Sequence, residues 1–199
     1  MKSLLQLGGL LLIGLLSNPI LASCTQFQHY EQHDLDGFIT ILENAELSET
    51  LRLSAYDKLA CADDPVIRST AVSEGLKDLS ASVLRERVFL DSVLSSEVIV
   101  VTLIDSPGYN QETRKLVEKH KHEIRLIANN AYPDQGCVSL FKAKKCKRQY
   151  LKVEKTKILY QGKTYQGEFE LTRSNTVEGY VLKKASAKAQ KISAKITLF

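Results

Sequence analysis

Lys191-Ile192-Ser193-Ala194-Lys195-Ile196-Thr197-Leu198 alternates polar and apolar residues without a break. That period of two is the mark of a β-strand with one dry and one wet face. The pattern runs back through the last third of the chain. Tyr165, Phe169 and Leu171 alternate with Glu168, Glu170 and Thr172, and Val177 to Leu182 follows the turn residues Arg173-Ser174-Asn175. With Val138 to Phe141 and Tyr150 to Tyr160, about five strands are expected from Cys137 onward, joined by turns and by a basic connection at Lys183 to Lys188. A small antiparallel sandwich or roll is the natural product.

Further forward the period changes. Leu35, Phe38, Ile39 and Leu42 fall at i, i+3, i+4 and i+7 behind Asp34, predicting an amphipathic helix that ends near Asn44 or Ala45. Three copies of one pattern follow at intervals of 16 and 17 residues: Leu51-Arg52-x-x-Ala55, Ile67-Arg68-x-x-Ala71 and Leu84-Arg85-x-x-Val88. Each stands behind a helix-start signal: Ser48, Asp64-Pro65, then Ser80 or Ser82. Short helices of this kind stack to bury faces that none could bury alone, so Ile67 and Leu84 are expected at equivalent buried positions. Val98 to Ile104 reads as a buried strand ending at Ser106-Pro107-Gly108. Gln111 to Asn130 is expected to be helical on the stripe Leu116, Val117, His120, Ile124 and Ile127, although His122 to Ala128 also fits a strand. The fold class is therefore α+β, a short N-terminal helical-repeat bundle followed by the antiparallel β-sandwich or roll. The divisions are 1–23, 24–96, 97–136 (a connecting strand and helix or loop) and 137–199.

Asp63-Asp64-Pro65-Val66-Ile67-Arg68-x-x-Ala71 resembles the start of a HEAT-type helical repeat. The resemblance covers residues 48–96, about a quarter of the chain, and the middle copy departs from the first by carrying Gly75 where Leu59 stands. HEAT-like arrays are scaffolds for protein partners, so the resemblance implies a partner-binding role. A plain three- or four-helix cap on another domain fits the same residues.

The first 23 residues set the compartment. Lys2 precedes an apolar run from Leu4 to Leu16, Ser17-Asn18-Pro19 breaks it, and Leu21-Ala22-Ser23-Cys24 closes it. The run is shorter than the roughly 20 residues that span a bilayer, and it reads as a secretory signal peptide. Leu-Ala-Ser-Cys also resembles a bacterial lipobox, which would make Cys24 an acylated N-terminus anchored in a membrane; cleavage after Ala22 or Ser23 is the other course. Export places Cys24, Cys61, Cys137 and Cys146 where disulfides form. A Cys137–Cys146 bridge across a hairpin is expected, with Cys24 left for Cys61 or for lipid.

Charge is unevenly spread. Residues 24–136 hold 11 Lys and Arg against 19 Asp and Glu, net −8, and residues 137–199 hold 15 against 4, net +11. Lys142, Lys144, Lys145, Lys147 and Arg148 crowd around Cys146 and form the candidate polyanion site. The alternatives are a solvated hairpin tip, or a basic end that docks on the acidic one. No aromatic side chain interleaves the run, which argues against nucleic acid. His29 and His33 share a face only if they are helical, and are a weak metal candidate. No nucleophile elbow or phosphate loop occurs, and no cofactor is expected. The function expected is that of an exported, non-enzymatic envelope protein, periplasmic or secreted, that binds another envelope protein or an anionic envelope polymer. The alternative is an envelope hydrolase with dispersed catalytic groups.

Overall fold

The computed structural model describes Cys24, residues 27–184 and residues 190–198. The signal-peptide reading and most of the Lys183 to Lys188 connection lie outside them. Four helices come first: α1 (Gln32–Glu43), α2 (Glu49–Ala60), α3 (Pro65–Lys77) and α4 (Ser82–Ser95). Their ends follow local chemistry. The Ser48 hydroxyl accepts from the Leu51 amide, and Asp64 accepts from the Val66 amide with Pro65 filling the first helical position. α1 begins before Asp34, at Gln32, and stops at Glu43. α4 has no side-chain cap of its own; the Glu49 carboxylate, from the start of α2, accepts from its Leu84 amide at 3.0 Å.

The three-fold pattern recurs in space, but not through its aliphatic residue. Leu84 is buried, Ile67 only half-buried and Leu51 54% exposed, so Ile67 and Leu84 are not equivalent. What repeats is the next residue. Arg52 Nε donates to the carbonyl of Leu42 (2.9 Å), at the end of α1. Arg68 Nη1 donates to the carbonyls of Ala62 and Asp63 (2.7 and 2.8 Å), just past the end of α2. Arg85 Nε donates to the carbonyl of Leu76 (3.2 Å), in the last turn of α3. Each arginine, one turn into its own helix, satisfies carbonyls left open where the preceding helix stops. The small residue three places on, Ala55, Ala71 or Val88, is buried each time and lets the helices approach.

Then follow β1 (Val98–Leu103), α5 (Gln111–Lys119), β2 (Glu123–Ile127), β3 (Asn130–Tyr132), a 3-10 turn at Pro133–Gln135, β4 (Cys137–Ser139), β5 (Tyr150–Glu154), β6 (Lys157–Gln161), β7 (Tyr165–Leu171), β8 (Val177–Lys183) and β9 (Ile192–Leu198). All nine described strands form one antiparallel sheet in the order β2-β1-β9-β8-β7-β6-β5-β4-β3. Its edge strands β2 and β3 are separated by only two residues, Ala128 and Asn129. Three Cα steps reach about 11 Å at most, whereas nine flat strands would set the edges roughly 38 Å apart. The sheet therefore curls until its edges meet, which makes it a roll. The linker fastens the closure, the Ala128 amide donating to the Glu97 carbonyl and the Asn129 amide to the Ser139 carbonyl, both at 2.9 Å. Inside, Ile99, Val101, Val138, Leu151, Ile158, Phe169, Val181 and Ile192 form one core with Phe89, Val93 and Leu94 of α4.

Two expectations are corrected here. The helix expected over Gln111 to Asn130 ends at Lys119. Lys121 and His122 take left-handed conformations, and Glu123–Ile127 pairs with β1 instead (Val101 opposite Ile124). The open edge of β1 offers this segment five backbone pairings, which outweigh a helical stripe. Tyr150 to Tyr160 is a hairpin rather than one strand, with Lys155 at φ 58° in its turn.

Four substitutions test this fold. Arg52 is buried and also pairs with Asp78, the residue that closes α3. Arg52→Ala should cost roughly 3–5 kcal/mol in urea unfolding, because it strips both a buried carbonyl and a carboxylate of their partner. Hydrogen bonds from the Ser80 hydroxyl, from Arg52 and from the Ser80 amide hold the Asp78 carboxyl at about 2. A depressed folded pKa adds stability that is complete above about pH 4 and vanishes as pH falls towards 2. Asp78→Asn should therefore be less stable than the native chain at pH 7, and the gap should close by pH 2. At Gly179, where β8 lies against β7, a Cβ would stand 2.0 Å from the Glu168 carbonyl oxygen and 2.7 Å from Phe169 Cα. Backbone cannot yield as a side chain does, so Gly179→Ala should cost about 1–3 kcal/mol. Gly37→Ala, in open space on α1, should gain up to about 1 kcal/mol in the same assay.

Candidate functional site

Two features stand apart from the packing. The first is a cleft of about 920 Å³ where the helices meet the rim of the roll. α2 contributes Tyr56 and Ala60, α3 contributes Ser69, Val72 and Leu76, and α4 contributes Phe89, Asp91 and Ser92. Opposite them stand Leu171 and Val177 from the β7–β8 corner and Ile196 and Leu198 from the end of β9. Phe27, from the lead-in to α1, closes one side with its ring 4.5 Å from the Arg68 guanidinium. The lead-in stays in place because Gln28 bridges to Ala62 and the Cys24–Cys61 disulfide lies beside it.

A polar cluster that reaches the cleft through Tyr56 and Asp91 is built from two helices. Arg87 and Asp91 lie four apart on α4, and Arg87 Nε donates to Asp91 Oδ2 at 2.9 Å. The Tyr56 hydroxyl of α2 donates to the same oxygen at 3.3 Å. Arg87 Nη2 stands 3.6 Å from Asp57 Oδ1. One guanidinium thus faces two carboxylates, and Oδ1 of Asp91 and Oδ1 of Asp57 are buried without a hydrogen-bond partner. Burial raises the Asp91 pKa against the opposing pull of Arg87 and Tyr56, and burial together with Asp91 raises that of Tyr56. The hydroxyls nearby are engaged with their own helix: Ser92 donates to the Val88 carbonyl and Ser96 to the Ser92 carbonyl, each at 2.7 Å. Among the described residues no histidine or cysteine lines the cleft.

The second feature is the basic loop between β4 and β5. Lys142, Lys144, Lys145, Lys147 and Arg148 are all exposed there. The Cys137–Cys146 disulfide, with Cα atoms 6.5 Å apart, ties the loop to a buried end of β4. The bridge forms as expected but not across a hairpin, since Cys137 lies opposite Lys152 and Cys146 sits within the loop. The Ala143 carbonyl accepts from the Tyr132 hydroxyl and from Asn130 Nδ2, and Leu140 donates its amide to the Gln149 carbonyl at 3.0 Å. Arg148 is held at φ 64°. None of the five cations has an ion-pair partner among the described residues, where one pair alone, the exposed Lys183–Glu112 at 3.7 Å, joins the acidic front to the basic rear. Among the described residues the five cations of the loop are therefore not consumed by ion pairs with the acidic front.

The other sequence candidates are dispersed. His29 lies ahead of α1 and bonds Asp63 at 3.0 Å, while His33 stands 3.3 Å from Asp34, so the shared helical face does not form. Among the described residues no cluster of His, Cys, Asp and Glu is arranged to hold a metal ion. Cys24 is bonded through its sulfur to Cys61, and a sulfur so engaged has no valence left for a diacylglycerol thioether. The two disulfides belong to an oxidising environment. No described helix is long and apolar enough to cross a membrane. Sequence reading passed over Asp91 and Tyr56. The one local signal was a single carboxylate inside the apolar run Phe89-Leu90-Asp91-Ser92-Val93-Leu94. Compared with protein-family models, curated proteins and solved structures, the chain matches none.

Proposed function

We propose that this is an exported, non-enzymatic binding protein of the bacterial envelope, periplasmic or secreted, which holds an anionic polymer on its basic loop. One observation carries the reading: five cations within seven residues are held on a pinned, solvent-facing loop and are spent on no carboxylate among the described residues. Unpaired cations at fixed spacing attract a polyanion over the screening length and lose little freedom on contact. The disulfide prevents mutual repulsion from spreading them. The hydrolase alternative draws no support from the cleft, where Ser92 and Ser96 are tied to backbone carbonyls and no histidine among the described lining residues stands ready to activate a hydroxyl.

Heparin, a soluble polyanion, serves as the probe. Binding should weaken steeply with salt, and replacing Lys142, Lys144 and Lys145 by Gln should lower the slope of log affinity on log salt by roughly 2–3. Cys137→Ser with Cys146→Ser should weaken binding while all five charges remain. Unchanged slopes for the triple variant would remove the loop from the reading. The same three substitutions at Lys155, Lys157 and Lys163 control for net charge alone.

A further inference from the structure

The cleft between the helices and the roll makes an offer of a different kind. We infer that it binds a cationic amphiphile, an unbranched apolar chain bearing a protonated amine, with the amine seated against the Asp91 carboxylate. The inference stands apart from the polyanion reading, since no residue of the basic loop lines the cleft.

Three observations lead there. The volume, about 920 Å³, is at the upper end of the range that holds a whole small molecule. The walls at Val72, Leu76, Phe89, Leu171, Ile196 and Leu198 are apolar and continuous from the helices to the end of β9, which suits an alkyl chain rather than a compact polar ligand. At the helical side the polar group is one donor short. Asp91 is only 3% exposed, its Oδ2 takes two hydrogen bonds, and its Oδ1 takes none. Asp57, the other carboxylate that faces Arg87, keeps 38% of its side chain exposed and does not line the cleft. A buried carboxylate oxygen left without a donor is costly, and an ammonium supplies one.

An anionic head group is disfavoured for the complementary reason. The cations that line the cleft are Arg68 and Lys195. The first gives Nη1 to the carbonyls of Ala62 and Asp63 and stacks on Phe27, and the second is paired with Glu178 at 2.9 Å.

The test uses the full mature chain and three probes of one chain length, dodecylammonium, dodecanol and dodecanoate, each below its micelle concentration at pH 7. Titration calorimetry should show one dodecylammonium bound per chain, at least ten-fold tighter than dodecanol, with dodecanoate weakest. The formal net charge of +3 over residues 24–199 favours the opposite order, so non-specific attraction cannot imitate this ranking. Asp91→Asn should reduce dodecylammonium affinity at least ten-fold and leave dodecanol unchanged. Ser69→Trp places a large ring in the cleft from an exposed position on α3, and should weaken all three probes with the circular dichroism spectrum intact. If Asp91→Asn fails to fold, the native ranking and Ser69→Trp decide. Dodecanoate binding as tightly as dodecylammonium, no saturable binding of the amine, or amine affinity untouched by Ser69→Trp would each overturn the inference.

Discussion

A helix that stops inside a protein leaves carbonyls with no amide to bond, and in this fold three successive helices meet that demand with the same residue. Arg52, Arg68 and Arg85 each reach back to the end of the helix before. The arrangement sets the spacing of the bundle, because a guanidinium one turn into a helix spans only to its neighbour's last turn. Each arginine then has donors left over, and these tie the bundle to something further. Arg52 holds Asp78 at the end of α3, and Arg68 carries Phe27. Arg85 crosses to the sheet, donating to the Thr172 carbonyl at 2.5 Å and to Asn175 Oδ1 at 3.0 Å. Burial lowers the Arg85 pKa, yet its acceptors there are neutral, so the junction between helices and sheet is built on hydrogen bonds rather than ion pairs.

The sheet obeys a constraint of its own. Two residues between the edge strands force closure, and closure bends β7 and β8 so tightly that Gly167 and Gly179 must lack side chains. A Cβ at Gly167 would stand 2.3 Å from the Tyr180 carbonyl oxygen. The far end of the roll is closed by α5, where the His120 ring bonds the Tyr165 hydroxyl at 2.7 Å and burial lowers the His120 pKa. The opposite end meets the bundle, and the cleft lies at that meeting. Its position follows from joining a helical stack to an open rim whose shapes do not interlock.

How much of this was legible in the sequence depended on how local the cause was. The period of two from Tyr165 to Leu198 declared its strands because each dry face is buried along its whole length. The basic loop was legible because its charges are contiguous. The repeat was visible too, but hydropathy pointed to the wrong residue. Leu51 looks like core and is exposed, whereas Arg52 looks like surface and is 3% exposed, its stem packed and its head satisfied. β2 was obscured because its strand character comes from β1, some twenty residues earlier. The cleft was not legible at all, since Tyr56, Asp91, Leu171 and Ile196 meet only after the roll has closed.

The two disulfides complete the logic of the two halves. Cys24–Cys61 pins the lead-in to the end of α2, and Cys137–Cys146 pins the basic loop to β4. Neither crosses between helices and sheet, and the ion pair that crosses from front to rear among the described residues is exposed and long. The halves are thus stiffened separately and joined by packing around α4 together with Arg85. Arg85 meets only neutral acceptors at that joint, and the two halves keep their opposite signs on their surfaces. A chain so divided carries exposed cations on the basic loop, while Oδ1 of Asp91 is buried without a partner beside the cleft and Asp57, the other carboxylate facing Arg87, stays partly exposed. The two proposed sites thus differ in their physical ground as well as in their proposed partner, the loop acting through long-range field and the cleft through shape and one unpartnered carboxylate oxygen.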